Sequence, residues 1–188
     1  MNTKPLTFQK WLEAAYKEFA CYGPDFSLKA LSGKAGLPRA TFYYHFNNKE
    51  HLTEELLVYH CKVAEQFSNE LKREVSELIP DLYEVMFRYK LNVRFHQQLL
   101  RNNHVEAFQN VYTRINTCSI EILLPFIRKY FNSDKSNVDL IEFFNTLTGA
   151  WYARINFKNC TVEYMCNLAI EIMEHTLGLY NHPKVKSL

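Results

Sequence analysis

From Arg39 to Lys49 the chain reads Arg-Ala-Thr-Phe-Tyr-Tyr-His-Phe-Asn-Asn-Lys, a run dense in groups that can touch a nucleic acid. On a wheel of about 100° per residue with Phe42 at zero, Phe46 falls near 40° and Arg39 near 60°, the side expected to meet a core. Ala40 near 160°, Tyr44 near 200° and Thr41 near 260° then point outward, flanked by Tyr43 and His45. That face suits a DNA major groove. Thr41 and Tyr44 can meet base edges or phosphates, Ala40 permits close approach, and Arg39 can reach a guanine or a phosphate. The competing reading is an aromatic-rich packing helix, which leaves two adjacent tyrosines and a histidine exposed for no reason. Lys49 adds a second sign. A cation in the first turn of a helix opposes the positive end of the macrodipole, and a phosphate held by the lysine and the free amides of that turn would relieve the conflict.

These groups need elements to hold them. Phe8, Trp11, Leu12, Ala15, Phe19 and Tyr22 recur at the spacing of one helical face, and Gly23-Pro24 stops that helix. Ser27 is placed to cap a short second helix carrying Leu28, Leu31 and Ala35, which Gly36 ends. Pro38 is acceptable in the first turn of a third helix, roughly Arg39 to Phe46. Asn47, with Glu50 three residues on, reads as a capping box that opens a fourth helix. Leu52, Leu56, Tyr59, Val63, Phe67 and Leu71 continue it for about 25 residues, or roughly 38 Å, as a rigid connector. After Pro80, helical patterns are expected over about 81–93, 95–102, 103–131, 137–157 and 161–180. No strand pattern competes, so the fold class is all-α.

Composition narrows the function. Net charge is only +2, yet residues 1 to 49 carry seven Lys/Arg against three acids, +4, leaving −2 for the rest. The basic surplus sits where phosphates would be met. There is no Gly-rich phosphate loop, Gly-x-Ser-x-Gly elbow or His-Glu-x-x-His, so an enzyme is not expected. The five cysteines are odd in number and irregularly spaced, which argues for buried thiols rather than disulfides. Cys160 and Cys166 are six apart and His60 abuts Cys61, neither a usual zinc spacing, so no metal and no cofactor is expected. The opening MNTKPLTFQKW lacks the order of a secretory signal and no run is long enough to span a membrane, which reads as a cytoplasmic protein without a membrane partner.

Residues 26 to 52, FSLKALSGKAGLPRATFYYHFNNKEHL, resemble the signature of the TetR/AcrR family of bacterial regulators. The resemblance runs over roughly residues 5 to 60. It joins an Ala-Gly-Leu turn, an aromatic-rich recognition helix ending in His-Phe, and a Lys-Glu pair opening a long helix. It implies a helix-turn-helix domain over 1–48 and a helical effector-binding and dimerisation domain over 49–188. DNA contacts then fall on Ser27, Lys29, Arg39, Ala40, Thr41, Tyr43, Tyr44, His45 and Lys49, with Lys4 as a flexible arm. Pro38 departs from the family, which usually has a polar cap there.

The C-terminal helices carry apolar residues on most of their circumference. Leu147 and Trp151 in one, and Met165, Leu168 and Ile172 in the other, are expected at an interface with a second copy, since one small domain cannot cover so much. The resemblance implies a four-helix dimer interface there. Phe67, Met86, Tyr89, Phe108, Tyr112, Ile115 and Phe144 are adaptable side chains of the kind that line an effector cavity, or equally a solid core. The expectation is a homodimeric regulator of the repressor type that reads a palindromic double-stranded operator and is released by a small apolar or aromatic effector. A metal- or redox-responsive regulator, or a helical interaction module without DNA binding, are the alternatives.

Overall fold

The computed structural model describes residues 5–180, with side chains to residue 178; the expected Lys4 arm lies outside the described residues. These residues form α-helices and one 3-10 helix, without a strand. The helices are α1 Leu6–Tyr22, α2 Leu28–Ala35, the 3-10 helix Arg39–Tyr44, α3 Lys49–Glu74, α4 Asp81–Arg88, α5 Lys90–Arg101, α6 Glu106–Phe131, α7 Asn137–Arg154 and α8 Val162–Tyr180. Contacts group them into two compact units. One holds the chain up to Phe67 with Tyr89–Asn116, and the other holds Ser68–Arg88 with the chain from Thr117 on.

In the first unit α1 is the central element. Its end is set by Gly23, whose N–H bonds Phe19 O at 2.8 Å with φ at 76°. A side chain there would be strained and would also meet Gln98 Oε1 at 3.1 Å. Trp11, Phe19, Leu31, Phe42, Phe46, Leu52 and Leu56 are fully enclosed. Trp11 meets Phe42 edge-on with centroids 5.5 Å apart, and Phe8 stacks on Phe46 at 5.1 Å. Tyr22 departs from the expected apolar face and is exposed in the last turn of α1, with the Lys34 ammonium 5.4 Å from the centre of its ring.

The other side of α1 is covered by α5. Phe95 lies stacked between Tyr16 and Phe19, at 4.5 and 4.2 Å. Beside it is a polar chain buried among the same helices. Tyr16 Oη bonds His60 Nδ1 at 2.9 Å, and Asn92 Nδ2 approaches the same nitrogen at 3.2 Å. An amide N–H can only donate, so Nδ1 accepts and the His60 proton sits on Nε2, which donates to His96 Nδ1 at 3.4 Å. Every group is neutral. Burial, and then the facing His96, hold the His60 imidazole well below its ordinary range. Burial pushes His96 down to about 3 and raises the Tyr16 phenol.

The second unit pairs α7 with α8 and sets α4 against α8. Trp151 Nε1 donates to Met165 O at 3.2 Å, and Tyr83 lies 6.0 Å from the Trp151 ring. Asp81 accepts from Ser76 N, Ser76 Oγ and Glu77 N at 2.7 to 2.9 Å, which holds its carboxyl below the usual range. Ser136 caps α7 by accepting from Asp139 N at 3.2 Å.

Several boundaries differ from the pattern in the sequence. The expected 81–93 helix breaks at Tyr89, whose ψ of 24° leaves the helical region, and restarts as α5. The helix expected from 103 begins at Glu106, after turns closed by Asn103 N to Leu100 O and Val105 N to Asn102 O. The expected 137–157 helix ends at Arg154, where Ile155 turns extended with ψ at 131°. Of the five thiols only Cys166 is buried, Cys118 is exposed, and Cys61 accepts from Arg114 Nη2 at 2.8 Å. Cys21 lies half-buried near the end of α1 and Cys160 half-buried in the connection between α7 and α8, positions that a periodic pattern does not distinguish from the core.

Candidate nucleic-acid interface

The segment that presents Arg39 to Tyr44 is a tight 3-10 helix rather than a turn of α-helix. Side chains three apart then eclipse, at about 120° per residue. Phe42 is fully buried and fixes the inward side. The outward ridge is built from two rows, Ala40 with Tyr43 and Thr41 with Tyr44. Tyr44 is 85% exposed and Tyr43 63%, while Ala40 is open to solvent. Arg39, expected near the core, is exposed, since it stands at the first position of the helix with nothing above it. The segment is held at both ends. Gly36 adopts the left-handed conformation that closes α2, with φ at 64°, and Ser32 Oγ donates to Leu37 O at 2.6 Å. At the far end His45 N and Phe46 N both bond Phe42 O at 2.9 Å.

Four of the expected contact residues are partly committed to the protein. The Thr41 hydroxyl donates to Pro38 O at 2.8 Å and accepts from Trp11 Nε1 at 3.1 Å, so it braces the segment and is half-buried. His45 bonds Thr7 Oγ1 through Nε2 at 2.8 Å and lies edge-on to Phe8. Lys49 is half-buried with its ammonium 4.7 Å from the centre of the Phe26 ring, a cation–π contact that restrains it beside the start of α3. Ser27 is exposed but its Oγ caps α2, accepting from Ala30 N at 3.2 Å; Lys29 is exposed in the first turn of that helix. Pro38 occupies the cap position of the 3-10 helix with no side-chain bond, and the Thr41 hydroxyl takes its carbonyl instead.

The start of α3 also differs from expectation. Asn48, not Asn47, is the cap, its Oδ1 accepting from His51 N at 2.8 Å. His51 takes the reciprocal role expected of Glu50, accepting from Asn47 N at 3.3 Å. Lys10, Lys17 and Lys34 surround a shallow cleft of about 210 Å³ between α1 and α2, and Lys34 is paired with Glu18.

Of the expected effector residues, Phe67, Tyr89, Phe108, Tyr112 and Ile115 fall in the first unit, and Met86 and Phe144 in the second. Phe67 meets Tyr89 at 5.5 Å, Tyr112 stacks on His96 at 4.6 Å, and Phe108 meets Phe19 edge-on at 5.5 Å. The expected interface residues Leu147, Trp151, Met165, Leu168 and Ile172 are all buried within the one chain. The area argument for a partner is thereby corrected: α4 and the pairing of α7 with α8 already cover these side chains. What the second unit exposes among its described large apolar residues is Tyr130, Val138 and Leu177. No three His, Cys, Asp or Glu of the described residues come together as a metal site, and no described helix is long and apolar enough to cross a membrane.

Residues 12–56 match the family model described as bacterial regulatory proteins, tetR family. The chain is similar in fold to a transcriptional regulator from Aquifex aeolicus VF5, at 22% identity and a TM-score of 0.60, over 92% of this chain and 99% of that one. It is similar as well to a TetR-like transcriptional regulator from Rhodococcus sp. RHA1, at 15% identity and a TM-score of 0.60, over 95% and 99%. No curated protein matches the chain. The resemblance carried by residues 26 to 52 is therefore met both by the family match and by the all-helical fold.

Proposed function

We propose that this chain, whose helix-turn-helix segment is that of the TetR/AcrR family, is a DNA-binding transcriptional regulator acting in the cytoplasm as a homodimer. The observation that carries the reading is the 3-10 helix: Phe42 anchors it inward while Arg39, Ala40, Tyr43 and Tyr44 stand open to solvent, Tyr43 touching Phe42 of the same segment edge-on. An exposed aromatic pair on a braced segment, beside the exposed Lys29 and the α3 amides, is suited to a major groove and its flanking phosphates.

In this reading residues 1–48 meet DNA and 49–188 serve effector binding and dimerisation. Ser27, Lys29, Thr41, His45 and Lys49 position the segment or meet phosphates. Two copies set paired recognition segments about 34 Å apart on a palindromic duplex. The regulator is a repressor that blocks promoter access, and a small apolar or aromatic effector releases it by favouring a second arrangement of the dimer. The test is a gel shift of the chain against random duplex DNA with selection of bound sequences. Enrichment of a two-fold symmetric site supports the reading, and retention of no duplex at low salt overturns it in favour of a helical interaction module.

A further inference from the structure

We propose that the recognition segment reads its operator chiefly through thymine 5-methyl groups, met by Ala40, Tyr43 and Tyr44, with Arg39 as the one guanine-reading side chain. The inference rests on the DNA-binding reading above and says which base chemistry that site recognises.

The argument is an inventory of what the segment can offer. Direct readout of adenine uses the paired donor and acceptor of an Asn or Gln amide, and cytosine offers a donor that a carboxylate accepts. Between Arg39 and Phe46 there is no amide and no carboxylate. Of the two small hydrogen-bonding groups present, the Thr41 hydroxyl is bound by Trp11 and Pro38, and one nitrogen of His45 is bound to Thr7. Just beyond, Asn48 is spent on capping α3, and Asn47, whose N–H bonds His51 Nδ1, is exposed past the end of the 3-10 helix and outside its two rows. What remains on the ridge is one methyl and two phenol rings, and at the first position of the segment, off those two rows, stands the exposed guanidinium of Arg39, which makes no hydrogen bond or ion pair among the described residues. A guanidinium matches guanine O6 and N7 in a paired geometry. Methyl and ring faces offer apolar contact, and the thymine methyl is the apolar group of the major groove.

The 3-10 geometry supports the same division. Ala40 and Tyr43 eclipse in one row, and Tyr44 heads the neighbouring row above the half-buried Thr41, so the outermost surface of the ridge is apolar except at the two phenol oxygens. Edge-on contact of Tyr43 with Phe42, at 5.3 Å, limits where that ring can go.

The experiment first selects the preferred duplex from a random pool. Affinity for it is then compared with a copy carrying uracil for every thymine, which deletes the 5-methyl groups, and a copy carrying 7-deazaguanine, which deletes the N7 acceptor. The uracil copy is expected to bind more weakly by about fourfold for each methyl that loses its contact. The 7-deazaguanine copy, which keeps O6, is expected to lose part of the roughly 5- to 150-fold that a bidentate contact is worth, a loss that disappears in Arg39→Ala. Tyr44→Ala should bring the thymine-to-uracil affinity ratio toward one, whereas Lys29→Ala weakens both duplexes alike. The ratio is indifferent to partial unfolding, which lowers both affinities equally. Equal binding of thymine and uracil duplexes by the unaltered chain overturns the inference and leaves DNA binding standing. Failure to select any duplex overturns the DNA-binding reading and this inference with it.

Discussion

Tyr44 and Thr41 show how far single residues can be read. A wheel drawn at the α-helical angle puts both outward, and for Tyr44 the structure agrees. Thr41 is turned by a partner thirty positions away, the Trp11 indole, which no local pattern reveals. His45 and Lys49 follow the same rule, since Thr7 and Phe26 lie in other elements. Tyr44→Ala is accordingly expected to weaken operator binding at least several-fold while leaving the melting temperature nearly unchanged, because the ring buries little in the free chain; binding isotherms beside calorimetric melts check this. The buried imidazoles give a pH dependence with a definite sign. In the unfolded chain His60 and His96 protonate near 6.5, whereas in the fold both resist it. Stability is full above about 6.5 and falls as pH drops below it, for His96 toward its folded value of about 3 and by up to about 1.4 kcal/mol per pH unit, with His60 acting in the same direction. Urea midpoints at neutral pH and at about pH 5 should show the fall. His96→Gln should flatten it.

At the scale of elements, the first helices are legible because their boundary signals are chemical: Ser27 starts α2, and Gly23 and Gly36 end α1 and α2, each doing at the backbone what its residue type suggests. Where two candidates stood side by side the pattern did not decide. Asn47 and Asn48 are both able to cap α3, and only the geometry of the approaching chain selects Asn48. Asn48→Ala should therefore cost about 0.5–2 kcal/mol and Asn47→Ala distinctly less, measured by chemical denaturation. The break at Tyr89 had no Gly or Pro to announce it, and the 3-10 character of the third helix has no compositional mark at all.

For the whole molecule, apolar helix faces were read as surplus when they are mainly core. Met165 and Ile172 are buried in one chain, so a charge placed there would report on folding before association. The direct measurement is sedimentation at micromolar concentration. A mass near twice 22.3 kDa is expected, and operator affinity should fall steeply when the protein is diluted below the association range.

Phe95 bears on whether the first three helices are portable. It fills the gap between Tyr16 and Phe19, and both Phe95 and Leu99 belong to the core that encloses Trp11 and Phe42. A fragment cut after residue 48 would leave that side of α1 facing water without α5. Such a fragment is expected to show little helical signal by circular dichroism, whereas one carried through α5 and the start of α6 should keep it. Transplanting this N-terminal helical head onto another C-terminal half would therefore have to bring along helices encoded more than forty residues downstream. Hybrids joined at the apparent end of the helix-turn-helix should fail for want of Phe95, whatever operator they were meant to read.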